Sequence, residues 1–341
     1  MNIILDDSSV KEQLYPFSET RNVADIRIGI LTIREKWALL KAKQLIPNLV
    51  ETITIPANII PSVNNVDNIC NEIANGKIVL VNEEVNIIEF PWDIFKLNDW
   101  TLRQDFDLIT TGRKSVILSD TNKVIAPENI FIEEGAKVEY AIINASSGPV
   151  YIGKNSEVME GCLIRGPFAL CEGAVLKMGS KIYGATTIGP NCVAAGEIKN
   201  SVLFANTNKG HDGYLGDSVL GEWCNLGAGT TNSNLKNNVG SVKVWDNKSK
   251  EYIAIGQKCG LLMGDYSRTA INTAINTGTV VGVCCNIFGE GFPPKLVTNF
   301  TWGNERYTYD KALQDIDNWK KLKRANISLQ EKEILKELYN Q

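Results

Sequence analysis

The chain has 341 residues, of which 44% are hydrophobic and 22% are charged. This balance excludes a mostly disordered chain, and the length predicts about two domains. With 35 basic and 39 acidic residues the net charge is −4, so a nucleic-acid-binding surface is not expected. No run of about 18 apolar residues occurs, so no membrane-spanning helix is expected. The N-terminal ten residues lack the pattern of a signal peptide, and we expect a cytoplasmic protein.

Residues 1–112 form the first predicted unit, a small α/β module. Apolar runs at 2–7 and 77–85 predict short buried strands. Residues 25–45 predict a strand or turn that leads into a helix. Neither the GxxxxGK[ST] nor the GxGxxG phosphate-binding motif occurs in this unit.

A six-residue repeat dominates residues 113–295, the second predicted unit. A helix requires a period of 3.6 and a half-buried strand requires strict alternation, whereas a period of six fits a short strand followed by a sharp corner. Three such sides make a triangular coil, and several coils must stack to bury their inner faces. The sequence therefore predicts a mainly β protein built on a parallel β-helix. The in-register aliphatic residues are Ile152, Val158, Ile164, Leu170, Leu176, Ile182 and Ile188.

The repeat loses its phase near 145–150 and again at 200–215. We interpret each break as a loop that leaves the coil, and such loops often carry functional sites. The second break holds His211, the single histidine of the chain, in a loop flanked by Gly210 and Gly213. A neutral imidazole can accept a proton from an attacking nucleophile, so His211 is a candidate general base. The alternative is a surface histidine without a chemical role.

The eight cysteines are predicted to be core residues. None forms a C-x-x-C pair, and five occupy the small position of the repeat: Cys162, Cys192, Cys224, Cys259 and Cys285. This placement favours buried free thiols over a disulfide framework or a zinc site.

Residues 296–341 form a C-terminal extension that is partly helical. The stretch from about 308 to 340 is rich in Lys, Leu, Asp and Glu. It predicts one or two amphipathic helices that pack on the β-helix or on a neighbouring chain.

Residues 210–234 read GHDGYLGDSVLGEWCNLGAGTTNSN. Together with the hexapeptide repeats, this stretch resembles the acetyltransferase half of the bifunctional N-acetylglucosamine-1-phosphate uridyltransferase/glucosamine-1-phosphate acetyltransferase family. RNVADIRIGILTIREKW, AINTAINTGTVVGV and NIFGEGFPPK are similar to a shortened, sugar-nucleotidyltransferase-like branch of that family. The resemblance implies a left-handed β-helix and a homotrimer whose sites lie between subunits.

The resemblance also implies a reaction, with acetyl-CoA as donor and an amino-sugar phosphate such as glucosamine-1-phosphate as acceptor. His211 would deprotonate the sugar amine. In two places the chain departs from the family pattern, because Gly240 replaces a basic residue and Asp265 replaces a serine near the thioester. The residues implied to bind the sugar phosphate are Lys199, Tyr214, Asn225 and, near a basic position of the family, Lys181. Those implied to contact acetyl-CoA are Ala228, Asn234 and Asp265.

For the N-terminal module, the resemblance implies nucleotidyl transfer, although the glycine-rich loop that the family uses for the triphosphate is absent. Glu83 or Glu84 is then the candidate ligand of Mg²⁺. Arg21 and Arg27 are candidate phosphate contacts, with ion pairs at the surface as the alternative. Two other functions thus stand beside acetyl transfer: a sugar-1-phosphate nucleotidyltransferase with the β-helix as a trimerisation scaffold, and a non-catalytic binding or assembly protein.

Overall fold

The structure is a computed structural model that describes residues 3–47, 52–77 and 85–341. Its main body is a three-sided parallel β-helix, called the prism below. An α/β module precedes the prism and two helices follow it. In the described part of the chain, no helix has the length and apolar character needed to span a bilayer.

Within its described residues, the N-terminal module is built from short strands and four α-helices. The expected strand near residues 2–7 and the strand-to-helix segment near 25–45 are confirmed, whereas residues 78–84 of the other expected strand lie outside the described residues. Its elements are β1 (Ile3–Asp6), β2 (Arg27–Ile28), β3 (Leu31–Thr32), α1 (Ile33–Ala42), β4 (Ile53–Pro56), β5 (Ile59–Ile60), α2 (Val66–Ala74), β6 (Asn86–Ile87), α3 (Asp93–Lys96) and α4 (Asn98–Thr110).

The prism consists of short strands separated by tight corners. Its first half contains β7 (Lys123–Ile125), β8 (Ile130–Ile132), β9 (Lys137–Val138), β10 (Ile142–Asn144), β11 (Val150–Ile152), β12 (Glu157–Val158), β13 (Leu163–Arg165), β14 (Phe168–Leu170), β15 (Val175–Leu176), β16 (Lys181–Ile182), β17 (Thr186–Ile188) and β18 (Val193–Ala194). The second half contains β19 (Glu197–Leu203), β20 (Asn208–Lys209), β21 (Tyr214–Leu220), β22 (Asn225–Leu226), β23 (Thr231–Asn232), β24 (Lys243–Asp246), β25 (Glu251–Ala254), β26 (Leu261–Met263), β27 (Arg268–Thr269), β28 (Ala274–Ile275), β29 (Thr279–Val281), β30 (Asn286–Ile287), β31 (Leu296–Val297), β32 (Thr301–Trp302) and β33 (Glu305–Arg306).

Each coil contributes one strand to each of three faces. The first face contains β7, β10, β13 and β16, and continues through the N-terminal halves of β19 and β21 to β23 and β28. The second face contains β8, β11, β14 and β17, then the C-terminal halves of β19 and β21, then β26, β29 and β31. The third face runs from β9 through β12, β15, β18, β20, β22, β27 and β30 to β32. Neighbouring coils pair in parallel register along every face.

The aliphatic residues of the repeat fill the interior, as the period of six predicts. Ile152, Leu170, Leu176 and Ile188 are each fully buried in one continuous cluster. All eight cysteines are buried and unpaired, which confirms their predicted core role. A single apolar core therefore extends along the length of the prism.

The prediction that a loop leaves the coil at 200–215 is wrong. β19 and β21 are seven-residue strands that cross from the first face to the second without a separate turn. Asn200 and Asp217 take left-handed backbone conformations at the crossing point. Paired residues Ile188 and Leu203 are consequently 15 residues apart, whereas Leu163 and Lys181 are 18 apart, and this shortening breaks the phase of the repeat. The segment that does leave the coil lies between β23 and β26, where β24 and β25 form an antiparallel hairpin.

The N-terminal module packs on the second face. Phe17 lies 5.5 Å from Phe204, measured between ring centroids, and the cluster around it includes Val202 and Val219 of the prism. Asn98 of α4 donates to the carbonyl of Ala185 at 2.7 Å. The module and the prism thus share one hydrophobic core across this contact.

The extension ends in two helices, α5 (Tyr309–Leu322) and α6 (Leu329–Asn340), which confirms the helical prediction for residues 308–340. Ser328 caps α6 in a reciprocal arrangement with Glu331. Buried Ile316 and Leu335 pack against Tyr266 and Cys284 at the edge between the second and third faces. The helices therefore cover the later coils of the prism.

Candidate active site at one edge of the prism

His211 lies in a short turn, residues 210–213, that joins β20 to β21 at the edge between the third and first faces. All four carbonyls of this turn accept hydrogen bonds, so its backbone is fixed, while the imidazole is exposed. The carbonyls of Gly210, His211, Asp212 and Gly213 accept from Lys177 Nζ, Lys209 Nζ, the Gly229 amide and the Glu197 amide, respectively.

A cleft of about 350 Å³ lies beside this turn, and both His211 and Asn225 line it. One wall is the third face of the prism, and the other is the end of α5, with Trp319 and Leu322. Lys323, just beyond α5, donates to the carbonyls of Asn191 and Asn206 at 2.7 and 2.9 Å, which holds this end of the helix against the prism. The C-terminal extension thus forms part of the candidate site.

The first face carries a second polar group next to the same edge. The Tyr214 hydroxyl lies over Gly216, so close that a Cβ at this glycine would be 2.2 Å from it. Burial, and then the charge of Asp217, raise the pKa of Tyr214 to about 12. Asp217 accepts from the side-chain amides of Asn200, at 2.6 Å, and Asn234. Tyr214 and Asn234, predicted to bind different substrates, therefore lie close together.

Lys199, Lys181 and Ala228 lie around this edge at different distances from the turn. Lys199 is half-buried and pairs in register with Gly216, beside Tyr214. Lys181 is exposed on the first face and lies two coils from Tyr214. It pairs in register with Glu197, and Glu197 pairs in register with Tyr214. Ala228 lies in the corresponding turn of the next coil, where the adjacent Gly229 amide donates to the His211 turn at 3.1 Å.

Asp265 lies apart from His211 and the other residues predicted to serve acetyl transfer. It follows β26 at the edge between the second and third faces and is 2% exposed. Its carboxylate accepts from Arg21 and Thr20 of the N-terminal module and from the Glu222 amide. The role of Asp265 at acetyl-CoA remains a prediction, since in this chain its oxygens bind the N-terminal module.

Arg21 and Arg27, the candidate phosphate contacts, both take part in ion pairs. Arg21 pairs with Asp265 and with Glu222, and Arg27 pairs with Glu35 at 3.3 Å. Both guanidinium side chains are largely buried, whereas Glu35 and Glu222 are 48% and 36% exposed, so only the pair of Arg21 with Asp265 is buried on both sides.

The N-terminal module also contains a fully buried ion pair. Lys36 of α1 and Asp105 of α4 are 2.6 Å apart and almost completely buried. The same carboxylate accepts from the Ile30 and Leu31 amides at 2.7 and 3.1 Å, so it fixes the turn that packs on the second face.

The candidate Mg²⁺ ligands Glu83 and Glu84 lie outside the described residues. Within residues 3–47, 52–77 and 85–341, no group of acidic, histidine or cysteine side chains could hold a metal ion. A larger cavity of about 920 Å³ is lined by Phe288, Phe292 and neighbouring residues of the last coils. None of the predicted site residues lines that cavity.

Sequence reasoning missed three residues near His211: Lys209, Trp319 and Lys323. Lys209 points into the prism, at a place where the neighbouring coils have Ala194 and Leu226. Trp319 and Lys323 belong to a helical segment whose docking place has no local signal in the sequence. The register of the coils and the path of the C-terminal extension were needed to find them.

Comparisons with known proteins give the chain its relatives. Residues 2–54 match the family model described as "Sugar nucleotidyl transferase". The "Bifunctional protein GlmU" of Methanocaldococcus jannaschii is 34% identical over 209 residues, which cover 61% of this chain and 45% of that protein. The "Bifunctional sugar-1-phosphate nucleotidylyltransferase/acetyltransferase" of Sulfurisphaera tokodaii is 31% identical, over 58% of this chain and 43% of that protein.

A third relative, the "Bifunctional protein GlmU" of Wigglesworthia glossinidia brevipalpis, is 25% identical over 81% of this chain and 59% of that protein. Over these shared stretches the chain is similar to GlmU proteins. It spans about half the length of the curated relatives it matches, between 43% and 59%. Among solved structures, the "polySia specific acetyltransferase NeuO" matches with 14% identity and a TM-score of 0.29, over 53% of this chain and 77% of that chain.

Proposed function

We propose that this GlmU-like chain transfers an acetyl group from acetyl-CoA to the amine of an amino-sugar phosphate of the glucosamine-1-phosphate type. Such a step would serve UDP-N-acetylglucosamine synthesis. The observation that carries the proposal is the His211 turn, whose backbone is fixed at every carbonyl while the exposed imidazole borders a cleft shared with Asn225. The names of the curated relatives support the same chemistry.

In the proposed reaction, the sugar amine attacks the carbonyl carbon of the thioester. A carbon–nitrogen bond forms, the carbon–sulfur bond breaks, and His211 accepts the proton that the amine loses and passes it to the departing thiolate. General-base catalysis of this kind contributes about 10²–10⁴ in rate. Holding the amine and the thioester in line supplies much of the remainder, which is consistent with a rigid turn.

We assign the sugar phosphate to the side of the edge with cationic and amide groups. Lys199 would supply a positive charge for the phosphate, assisted by the Tyr214 hydroxyl and the Asn225 amide, and exposed Lys181 would lie further along the same face. Ala228, one coil beyond the His211 turn, and Asn234 would lie along the pantetheine of acetyl-CoA. For the sugar phosphate, the Lys199 ammonium and the Asn225 amide are suitable because both donate hydrogen bonds to phosphate oxygens.

We further propose a homotrimer in which the first face meets a neighbouring prism. The N-terminal module packs on the second face and α5 and α6 pack on the third. On the first face, by contrast, the large apolar side chains of Ile142, Leu163 and Tyr183 are between 41% and 49% exposed. A contiguous exposed apolar patch of this kind commonly marks a protein–protein contact, and a neighbour there would enclose Tyr214 and Lys199.

Nucleotidyl transfer is the second candidate function, and the match of residues 2–54 to a sugar nucleotidyl transferase model favours it. In that case the prism would act mainly as a scaffold. Arg21 and Arg27 would have to leave their carboxylate partners to bind a phosphate. Mg²⁺, when bound, would neutralise charge on the nucleotide phosphates.

The direct test is the release of free CoA thiol. The chain is incubated with acetyl-CoA and glucosamine-1-phosphate, and in parallel with glucosamine or with N-acetylglucosamine-1-phosphate, whose amine is blocked. The proposal predicts rapid release with glucosamine-1-phosphate, slower release with glucosamine and only background with the blocked sugar. Equal background in all three reactions, with pyrophosphate formed from UTP and N-acetylglucosamine-1-phosphate, would instead favour the second candidate.

A further inference from the structure

Lys209 occupies a position that belongs to the interior of the prism. It pairs in register with Ala194, whose side chain is buried in the central apolar cluster, and Leu226 takes the equivalent inward place in the next coil. Lys209 is only 2% exposed. The small Ala194 side chain leaves room for a long side chain at this level of the core.

An ammonium in an aliphatic interior destabilises the folded state unless it is hydrogen-bonded or paired. The Lys209 ammonium donates to the backbone carbonyl of His211. The carboxylate of exposed Asp212 acts on the ammonium as an opposing charge. The stem of Lys209 therefore lies in the core, and its charged end holds the turn from the inside.

This contact acts on the residue that carries the candidate base. The neighbouring carbonyls of the turn are held by Lys177 from the rim of the cleft and by backbone amides of the adjacent coils. The His211 carbonyl is held by a side chain from within the prism. Since the Cα of His211 is bonded to this carbonyl, a change in the Lys209 contact would rotate the peptide and move the imidazole.

We propose that Lys209 is a positioning residue, which fixes the peptide of His211 from inside the prism and thereby aims the imidazole at the cleft. This inference rests on the proposed function, because it assigns Lys209 a part in general-base catalysis without contact to substrate. A role in stability alone would require the buried ammonium to raise the stability of the fold, which its aliphatic surroundings oppose.

The single histidine allows a test that needs no turnover. Protein labelled with carbonyl-¹³C histidine gives one carbonyl signal, from His211, and its ring gives one set of imidazole signals. Lys209→Met keeps the length and apolar volume of the side chain but removes the donor. Leu226→Met is the matched control, because it alters the same inward place one coil away. We expect the His211 carbonyl signal to move and the imidazole signals to broaden in Lys209→Met but not in Leu226→Met.

Steady-state kinetics then distinguish a positioning role of Lys209 in catalysis from a purely structural role. For Lys209→Met we expect kcat to fall about tenfold or more while KM for both substrates changes little, since a displaced base impairs the chemical step rather than binding. Lys209→Arg keeps a cationic donor and is expected to recover part of the lost kcat. This variant also provides the comparison with the wild type if Lys209→Met does not fold.

Three results would overturn the inference. The first is a His211 carbonyl signal that is the same in Lys209→Met as in the wild type. The second is a folded Lys209→Met variant with wild-type kcat, or a folded Lys209→Arg variant that loses as much kcat as His211→Ala. The third is an imidazole spectrum of Lys209→Met identical to that of the wild type. A wild-type chain without acetyl transfer would refute the proposed function, and the two spectroscopic comparisons would still decide whether Lys209 positions His211.

Discussion

Arg21 of the N-terminal module forms an ion pair with Asp265 of the prism, and both side chains are largely buried. The same guanidinium is 3.3 Å from a carboxylate oxygen of Glu222 and lies over the ring of Phe204. One arginine thus contacts three successive coils at the edge between the second and third faces. This contact fixes the N-terminal module against the prism and engages an aspartate that the family resemblance had implied at acetyl-CoA.

Removal of one partner of this pair should destabilise the protein. We expect Asp265→Ala to lower the free energy of unfolding by about 3–5 kcal/mol, because it leaves the Arg21 charge buried without its main partner. The double variant with Arg21→Met should lose less than the two single losses combined. Denaturant unfolding measures both effects. An Asp265→Ala variant as stable as the wild type would contradict the assigned contact.

The buried ammonium of Lys209 should make stability depend on pH. Burial lowers the pKa of Lys209 from 10.5 to about 8, so at pH 7 the folded state holds a proton less readily than the unfolded state does. Below pH 8 the lower proton affinity of Lys209 in the folded state reduces the free energy of unfolding. This reduction vanishes as the pH rises from 8 to 10.5. We expect Lys209→Met to be more stable than the wild type by about 2 kcal/mol at pH 7, after the loss of one hydrogen bond.

The same advantage of Lys209→Met should shrink as the pH approaches 10.5. Urea unfolding at several pH values, with Leu226→Met as the control, measures it. A Lys209→Met variant whose stability relative to the wild type grows with pH would contradict the assigned burial.

Gly216 should be needed to place the Tyr214 hydroxyl. An alanine at this position would put its Cβ 2.2 Å from that oxygen, so the tyrosine must move. We expect Gly216→Ala and Tyr214→Phe to raise KM for the sugar phosphate by a similar factor, about tenfold, and the double variant to be no worse than either. Additive effects in the double variant would show that Gly216 acts by another route.

The exposed apolar residues of the first face should mediate trimer formation. We expect Leu163→Lys to dissociate the proposed trimer into chains of 37.6 kDa, because a buried unpaired charge at an interface is costly. Leu329→Lys is the control, since Leu329 is equally apolar and 78% exposed on α6. Sedimentation velocity distinguishes the two forms. A wild-type chain that sediments as a monomer would refute the trimer.

The sequence predicted the prism because its interior requires one residue type at a fixed interval. Ile152 and Leu176 are buried where the period of six places them. The prediction was wrong at 200–215 because a coil can shorten by as many as three residues when a strand crosses an edge through a left-handed residue such as Asn200 or Asp217. Only strand register reveals such a crossing.

The polar residues of the candidate site could be predicted from the sequence, but the residues that surround them could not. His211 and Tyr214 were identified from a motif and lie at one edge of the prism. The approach of Trp319 to His211 depends on where a distant helix docks, and that docking follows from shape and buried area rather than from a local pattern. The orientation of Lys209 depends on coil register for the same reason.

The most direct test of His211 as the general base is the initial rate of CoA release by His211→Ala with acetyl-CoA and glucosamine-1-phosphate. His211 is exposed and its turn is held by backbone carbonyls, so the substitution should leave the fold intact, which thermal unfolding checks. We expect the rate to fall about 10²–10⁴-fold and to recover partly when free imidazole is added. A folded His211→Ala variant that releases CoA at the wild-type rate would contradict the proposed mechanism.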